Sequence, residues 1–255
     1  PVTGKPHSGT GVTLGFHTVY RKPINATTTA RFGFRATGTT YRLSKAAKAL
    51  GSGQRGADFA YGALEVSAGI TTGPAKFDVP GWGYTRADVV LGRSWYGGNP
   101  LANYARVTLG QDFILSRQSL LQMEVSAERQ NRLDTKNASA TVFSASANRA
   151  HFLAKGAQVS YGIFAQDSES KSRFSDSRTL GGSVSYRFAP MKFDITPTVS
   201  MRFQQTRFNR PIAGSERSDR KVSATASIIF PQVDYYGFAP TLNVNMSRNT
   251  SSIPI

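Results

Sequence analysis

Few residues in this 255-residue chain have the types and spacing that covalent or metal chemistry requires. The three histidines, His7, His17 and His151, lie far apart, and none has a carboxylate at metal-ligand spacing. Cysteine is absent, which excludes disulfides and thiolate metal ligands. Serine is plentiful, but no histidine is placed to activate a serine nucleophile. We therefore expect no enzyme activity: no catalytic residue, no cofactor and no metal site.

One glycine-rich segment, Gly51 to Gly56, has a weak likeness to a phosphate-binding loop. A phosphate loop of the Walker type continues with Gly-Lys-Ser or Gly-Lys-Thr between a strand and a helix of a parallel sheet. Neither feature is present here. We interpret this segment as part of a long connection.

Charged residues on the polar sides of predicted strands are the strongest candidates for a functional site. Across neighbouring strands they could pair and brace a wall, or they could set the electric field of a channel. We favour bracing over a channel field. The candidates are Arg31, Arg35, Glu65, Arg106, Asp112, Glu124, Glu128, Arg187, Asp194, Arg202 and Lys221.

The elements that position these charges are clearest between Arg178 and Gln204. From Lys192 onward, apolar residues such as Ile195, Val199 and Met201 alternate with polar ones. A period of two is typical of a strand, because successive side chains point to opposite faces. The segment before it, Arg178–Phe188, alternates in the same way, so the two predict an antiparallel hairpin.

Alternation alone would also fit a soluble β-sandwich, whose inner faces share a core. Three features favour a membrane. The predicted strands run for about ten residues or more, which suits a tilted membrane-spanning strand. Aromatic residues gather at the short turns, as at a membrane interface: Phe188, Phe193, Phe230, Tyr235, Tyr236 and Phe238. Finally, the alternation recurs along almost the whole chain, and the polar faces are too polar for a shared core.

The sequence therefore predicts an all-β protein, an antiparallel transmembrane β-barrel with its apolar side chains in lipid and its polar ones in the lumen. The residues that we expect to face lipid are Phe32, Phe34, Leu64, Val66, Val184, Tyr186, Phe193, Ile195, Val199, Met201, Val222, Ile228, Leu242 and Val244. Arg31 and Arg35 fall in the lumen by parity, since an arginine in hydrocarbon costs about 2–4 kcal/mol.

Reading the chain in order gives about twelve strands in one domain of residues 1–255, which is the barrel itself. Residues 1–10 are an approach segment, and 43–58 form a long loop in which Ser44 to Leu50 could be a short helix. The predicted strands are Gly11–Arg21, Thr27–Tyr41, Phe59–Thr71, Lys76–Ser94, Leu101–Leu115, Gln118–Asn131, Ala138–Ala150, Ala157–Asp167, Arg178–Phe188, Lys192–Arg207, Arg220–Phe230 and Phe238–Arg248.

The connections alternate between short and long, as in outer-membrane barrels with tight periplasmic turns and longer surface loops. Ser94–Pro100, Ser168–Ser177 and Phe208–Asp219 are predicted to be long and polar. We expect a bend or bulge in Lys76–Ser94, which contains Pro80, and another beside Val142. The last residues do not end in a strand with a terminal aromatic, so we expect one or two closing strands beyond residue 255.

The formal net charge of +16 suggests nucleic-acid binding first. The basic residues are, however, spread over polar strand faces and connections, with no basic helix or known nucleic-acid module. A polar lumen and loops facing anionic lipopolysaccharide explain the charge as well. We expect no nucleic-acid partner, and a soluble basic binding protein is a third, less favoured, interpretation.

Three segments resemble the barrel domain of the surface lipoprotein assembly modifier (Slam-like) family of outer-membrane proteins. They are Arg93 to Pro100, Gly237 to Pro240 and Ser247 to Ile255. The resemblance covers roughly Gly11 to the end, and it implies about fourteen strands in the complete barrel. It also implies a protein translocator that moves lipoproteins or secreted proteins to the cell surface. Family members carry periplasmic tetratricopeptide repeats before the barrel, and no such repeats are present in this sequence.

We therefore expect a protein of the outer membrane of a Gram-negative bacterium. Its expected partners are membrane lipids, lipopolysaccharide and a client lipoprotein or secreted protein. The alternative function is a passive, porin-like diffusion channel whose basic lumen favours anions.

Overall fold

The computed structural model describes residues 9–43, 58, 60–73, 81–133, 139–170, 176–209, 217–229 and 241–252. Twelve strands form a single sheet in chain order, and each pairs antiparallel with the next. They are β1 (Gly9–Pro23), β2 (Thr28–Leu43), β3 (Tyr61–Thr72), β4 (Gly81–Tyr96), β5 (Asn99–Ser116), β6 (Ser119–Arg132), β7 (Ala140–Phe152), β8 (Gln158–Ser170), β9 (Ser177–Arg187), β10 (Thr196–Phe208), β11 (Ser218–Ile229) and β12 (Thr241–Ser251). The predicted all-β class and antiparallel strands are confirmed. Within the described ranges, no helix is long and apolar enough to cross a membrane.

The sheet is open in the described part of the chain, with β1 and β12 as its two edges. Every other strand is hydrogen-bonded on both sides. Closure of the sheet into a barrel therefore stays a prediction.

Register divides the side chains into two faces, because residues paired directly across an antiparallel ladder point the same way. A polar row runs across Arg31, Gly69, Asp88, Thr108, Ser126, Ser144, Gln166, Thr179 and Thr206. An adjacent apolar row runs across Phe32, Ala68, Val89, Val107, Ala127 and Phe143. We call the two sides the polar face and the apolar face.

The apolar face exposes its large side chains. Among them, Leu14 is 76% exposed, Ile163 67% and Leu180 65%. The buried apolar residues of the described ranges are small, apart from one valine: Ala63, Val90, Ala102, Ala140, Ala150 and Ala157. The described sheet thus has no hydrophobic core and no second layer over its apolar face.

One predicted long connection is wrong. Between Ser94 and Pro100, β4 continues to Tyr96 and β5 begins at Asn99, so only Gly97 and Gly98 join them. Both glycines have positive φ, 57° and 81°. Such angles at both central residues define the tight turn whose twist matches a hairpin.

The predicted strand from Lys192 also begins too early. Lys192–Asp194 forms a 3-10 turn, Asp194 has a φ of 54°, and β10 starts at Thr196. The connection is closed by a hydrogen bond from Met191 N to Ile195 O of 2.9 Å. Phe193 and Ile195 therefore lie outside the ladder, and the alternation of residue types simply continues past the strand's end.

The two predicted bulges have opposite outcomes. The pairing register between β4 and β5 changes between Trp82 and Thr85, which confirms the predicted irregularity in β4. The slip expected beside Val142 is wrong, since β7 pairs without a shift on both sides. Several predictions lie outside the described residues: the helix at 44–50, the glycine segment at 51–56, His7, and the aromatic residues Phe230, Tyr235, Tyr236 and Phe238.

Candidate functional site at the polar face

All the candidate charged residues except Asp194 lie in strands, and register puts them on the polar face. Asp194 is exposed in the turn before β10. The lumen assignment of this face stays a prediction. The charges differ in their surroundings: those on β2–β6 are paired except Glu124, and those on β9–β11 are not paired with a carboxylate in the described part of the chain.

Four paired charges form a cluster, which consists of Arg35, Glu65, Arg106 and Glu128. Arg106 bridges the two carboxylates, with 3.4 Å from Nη2 to Glu65 Oε1 and 3.2 Å from Nη1 to Glu128 Oε2. Arg35 approaches Glu65 at 3.9 Å. Glu65 and Glu128 are 16% and 14% exposed, so water screens this cluster less than an ordinary surface pair.

Tyr104 extends the cluster by crossing a neighbouring strand. Its hydroxyl donates to Glu65 Oε1 at 3.0 Å, although Tyr104 lies on β5 and Glu65 on β3. The residue between them on β4 is Gly92, which pairs with both. A Cβ at position 92 would overlap the Tyr104 ring, so glycine provides the space in which the ring lies.

A second pair uses the same arrangement. Arg31 on β2 contacts both carboxylate oxygens of Asp88 on β4, at 2.8 and 2.6 Å, across Gly69 on β3. Both contacts come from Arg31 Nη2, so the pair is charge-assisted but does not use the two-nitrogen fork of the guanidinium group. A third pair joins Arg86 and Asp112 at 3.2 Å. Together these contacts tie β2 through β6 to one another by their side chains.

Sequence reasoning missed Asp88, Arg86 and Tyr104. Pro80, Gly81 and Gly83 interrupt the alternation at the start of β4, so the residues before them do not indicate which face the later residues of β4 belong to. Counting backward from Ser94 in steps of two assigns Asp88 and Arg86 to the face of Glu65.

The polar face of β7–β10 has a different chemistry, because it carries no carboxylate. Its side chains are mostly hydroxyls and amides: Ser144, Ser146, Asn148, Ser160, Gln166, Thr179, Ser183, Ser185, Thr198, Ser200, Gln204 and Thr206. β11 and β12 continue this surface with Ser223, Thr225, Ser227, Asn243, Asn245 and Ser247. A depression of about 300 Å³ between β6 and β10 includes Ser146, Ser183 and Arg202.

The cations of this half are Arg187, Arg202 and Lys221, all exposed. The guanidinium carbon of Arg202 lies 3.7 Å from the ring centroid of Phe164, which orients the charge over the sheet. No carboxylate of the described residues pairs with any of the three. The polar face is therefore charge-paired over β2–β6, whereas over β7–β11 it carries these three cations and one carboxylate, Asp219 of β11, which pairs with Arg217.

The two described histidines lie on opposite faces of the sheet. His17 lies on the polar face opposite Arg35, whereas His151 lies on the apolar face and stacks on Tyr161 with 5.8 Å between ring centroids. The described residues contain no group of three His, Cys, Asp or Glu side chains that could hold a metal ion.

The residues predicted to face lipid lie on the apolar face wherever they belong to a strand. Those with an exposed side chain are Phe32, Phe34, Leu64, Val66, Val184, Tyr186, Val199, Met201, Val222, Leu242 and Val244; Ile228 is half-buried. Phe193 and Ile195 belong to the turn before β10. Contact of this face with lipid stays a prediction.

The chain has no match among protein-family models, characterised proteins or solved structures.

Proposed function

We propose that this chain forms the wall of an outer-membrane β-barrel that moves lipoproteins or secreted proteins to the cell surface. The observation that supports this most is the separation of the two faces. Large apolar side chains cover one face without a covering layer, while charged and hydroxyl side chains cover the other. Exposure of such an apolar face to water is unfavourable in free energy, whereas the hydrocarbon of a bilayer would solvate it.

Strand pairing supports the same proposal. Inside a bilayer every backbone N–H and C=O must be hydrogen-bonded, and a closed antiparallel barrel meets this requirement. The ladders from β1 to β12 provide the bonds for all inner strands. The two edge strands then require partners, which closure would supply.

The hydroxyl- and amide-rich polar face of β7–β12 favours a polypeptide cargo. Serine, threonine, asparagine and glutamine side chains can donate and accept hydrogen bonds, so they can exchange them with a passing backbone. The absence of carboxylates from the polar face of β7–β10 lowers the attraction for any one cationic segment. The resemblance of three segments to surface lipoprotein assembly modifiers agrees with such a cargo.

Deletion of the gene in its Gram-negative host tests this function. We expect a defined set of lipoproteins or secreted proteins to lose protease accessibility on intact cells, with their total amounts unchanged. Complementation with the wild-type chain should restore their exposure. An unchanged surface proteome would contradict the proposal.

A passive anion channel is the second candidate, favoured by Arg187, Arg202 and Lys221 on the polar face. In planar bilayers, a steady anion-selective conductance that decreases in Arg202→Glu and Lys221→Glu would support this channel over the translocator. Glu124→Gln, a neutralised carboxylate on the same face, serves as the control for nonspecific effects. A closed or unsteady barrel would agree with a translocator that opens for its client.

A further inference from the structure

The apolar face carries a groove across β6–β10, at the end where the described strands run into the connections after β6, β8 and β10. Its volume is about 710 Å³. Ala145 and Ala165 form the floor, because their small side chains leave a depression between larger neighbours. Val125, Phe143 and Leu180 form the walls. A groove of this composition suits an acyl chain.

The end of the groove is cationic. Arg178 and Arg207 line it together with Asp167 and Gln205. Arg178 is opposite both Asp167 on β8 and Arg207 on β10 in the ladders, so all three side chains share the apolar face. Arg178 Nε lies 3.5 Å from Asp167 Oδ2. Arg207 has no carboxylate partner among the described residues.

Two like charges directly opposite each other destabilise a sheet. Arg178 and Arg207 are such a pair, and a single carboxylate compensates them. Two guanidinium groups side by side provide the donors that a phosphate accepts, often in paired contacts. The arrangement is therefore complementary to a dianion above an apolar tail.

The charge of this end of the face strengthens the argument. Register places two further arginines of the apolar face within two residues of this row, Arg129 and Arg220. Among the described strand residues of this part of the face, the acids are Asp167 and Glu169. At the opposite end the described strands carry Lys22, Arg149 and His151, beside the aromatic residues Tyr20, Tyr161 and Tyr186.

We infer that this groove binds a phosphorylated lipid of the surrounding membrane, with an acyl chain over Ala145 and Ala165 and a phosphate on Arg178 and Arg207. The inference rests on the proposed membrane location. In the outer leaflet of an outer membrane, the lipid with this chemistry is the phosphorylated, acylated glycolipid that anchors lipopolysaccharide. Bound at this end, it would hold the barrel at a fixed depth.

The test uses the full chain refolded in detergent, with lipid A and its dephosphorylated form as probes. We expect wild type to bind the phosphorylated form at least about tenfold more tightly, since the charge-assisted contacts differ between them. The double variant Arg178→Gln/Arg207→Gln should lose this preference. Lys22→Gln, which removes a cation at the other end of the same face, should keep it.

Asp167→Asn provides a readout that general damage to the fold could not produce. Removal of the competing carboxylate frees Arg178, so we expect affinity for lipid A to rise several-fold. Ala165→Leu should fill the groove and weaken both lipid forms, whereas Ala226→Leu on β11 should weaken neither.

Two negative results are distinguishable. If the chain does not insert into vesicles of neutral phospholipid and does not partition into detergent, the proposed membrane function fails. If it inserts but binds both lipid forms equally, or if the arginine double variant keeps the preference, the groove is not a phosphate-lipid site and the inference alone is overturned.

Discussion

The carboxylate of Glu65 joins residues from both sides of its own strand. It accepts from Tyr104 at 3.0 Å, contacts Arg106 at 3.4 Å and approaches Arg35 at 3.9 Å. Since Arg106 also contacts Glu128, the side chain of Glu65 is the link between Arg35 on β2 and Glu128 on β6. Such side-chain networks depend on every member, because a removed partner leaves the others unsatisfied.

We predict that Glu65→Gln lowers the free energy of unfolding by about 1–2 kcal/mol, since a half-buried arginine loses one of its two carboxylates. Urea unfolding of the refolded chain measures the change. Glu124→Gln is the matched control, because Glu124 is exposed on the same face and no described residue pairs with it. Equal effects of the two substitutions would show that the cluster does not stabilise the sheet.

The contact between Tyr104 and Gly92 gives a second residue-scale prediction. Gly92→Ala places a methyl group where the Tyr104 ring lies, so the ring must move and its bond to Glu65 is lost. We expect Gly92→Ala to lower the free energy of unfolding by about 1–3 kcal/mol, because the added methyl group overpacks the site. Adding Tyr104→Ala should make Gly92→Ala nearly neutral in a double-mutant cycle. Gly62→Ala on β3, where a Cβ meets neighbours only at ordinary contact distances, should be tolerated.

At the scale of elements, the β4–β5 hairpin depends on its two glycines. Gly98 has a φ of 81°, and a Cβ added to it would meet no atom within 4 Å, so conformation alone restricts this position. We predict that Gly98→Val costs about 1–2 kcal/mol, because the left-handed region penalises a branched side chain. Gly38→Val on β2, which has equal space and ordinary φ, should cost much less. If both variants lose the same free energy of unfolding, the cost comes from placing valine at any glycine of the sheet and not from the positive φ of Gly98.

The alternation of residue types predicted most strands because it follows directly from the geometry of a strand. It failed where the ladder stopped before the pattern did, as at Phe193 and Ile195. It also failed at Gly97 and Gly98, where polar neighbours suggested a long loop although two residues close the turn. The end of a strand depends on hydrogen bonds to residues that are distant in the sequence. A local pattern of residue types carries no information about those bonds.

The candidate site was predictable in part for the same reason. Parity placed Arg31, Glu65 and Arg106 on one face, and the structure brings Glu65 and Arg106 together. The contact of Tyr104 with Glu65 could not be predicted, since it depends on the register of three strands and on the glycine between them. Asp88 was missed because β4 is irregular near its start.

At the scale of the whole molecule, the sheet has two chemically different sides, and its described residues form no hydrophobic core. The environments of the two sides can be compared by placing an arginine at each of two adjacent positions of β10, one on each face. Val199→Arg should cost about 2–4 kcal/mol of folding free energy in a bilayer, as for an arginine in hydrocarbon. Ser200→Arg, on the polar face, should cost little. A larger loss from Ser200→Arg would reverse the assignment of the faces.

The most direct test is a single-cysteine scan of β10 from Thr198 to Gln204 in lipid vesicles, because these 255 residues contain no other cysteine that could be labelled. A fluorophore on each cysteine reports its surroundings through quenchers dissolved in water or attached to lipid chains. We predict lipid-quencher contact at positions 199, 201 and 203 and water-quencher contact at 198, 200, 202 and 204. Uniform access of the water-soluble quencher, or alternation in the opposite phase, would contradict a membrane wall with this apolar face in hydrocarbon.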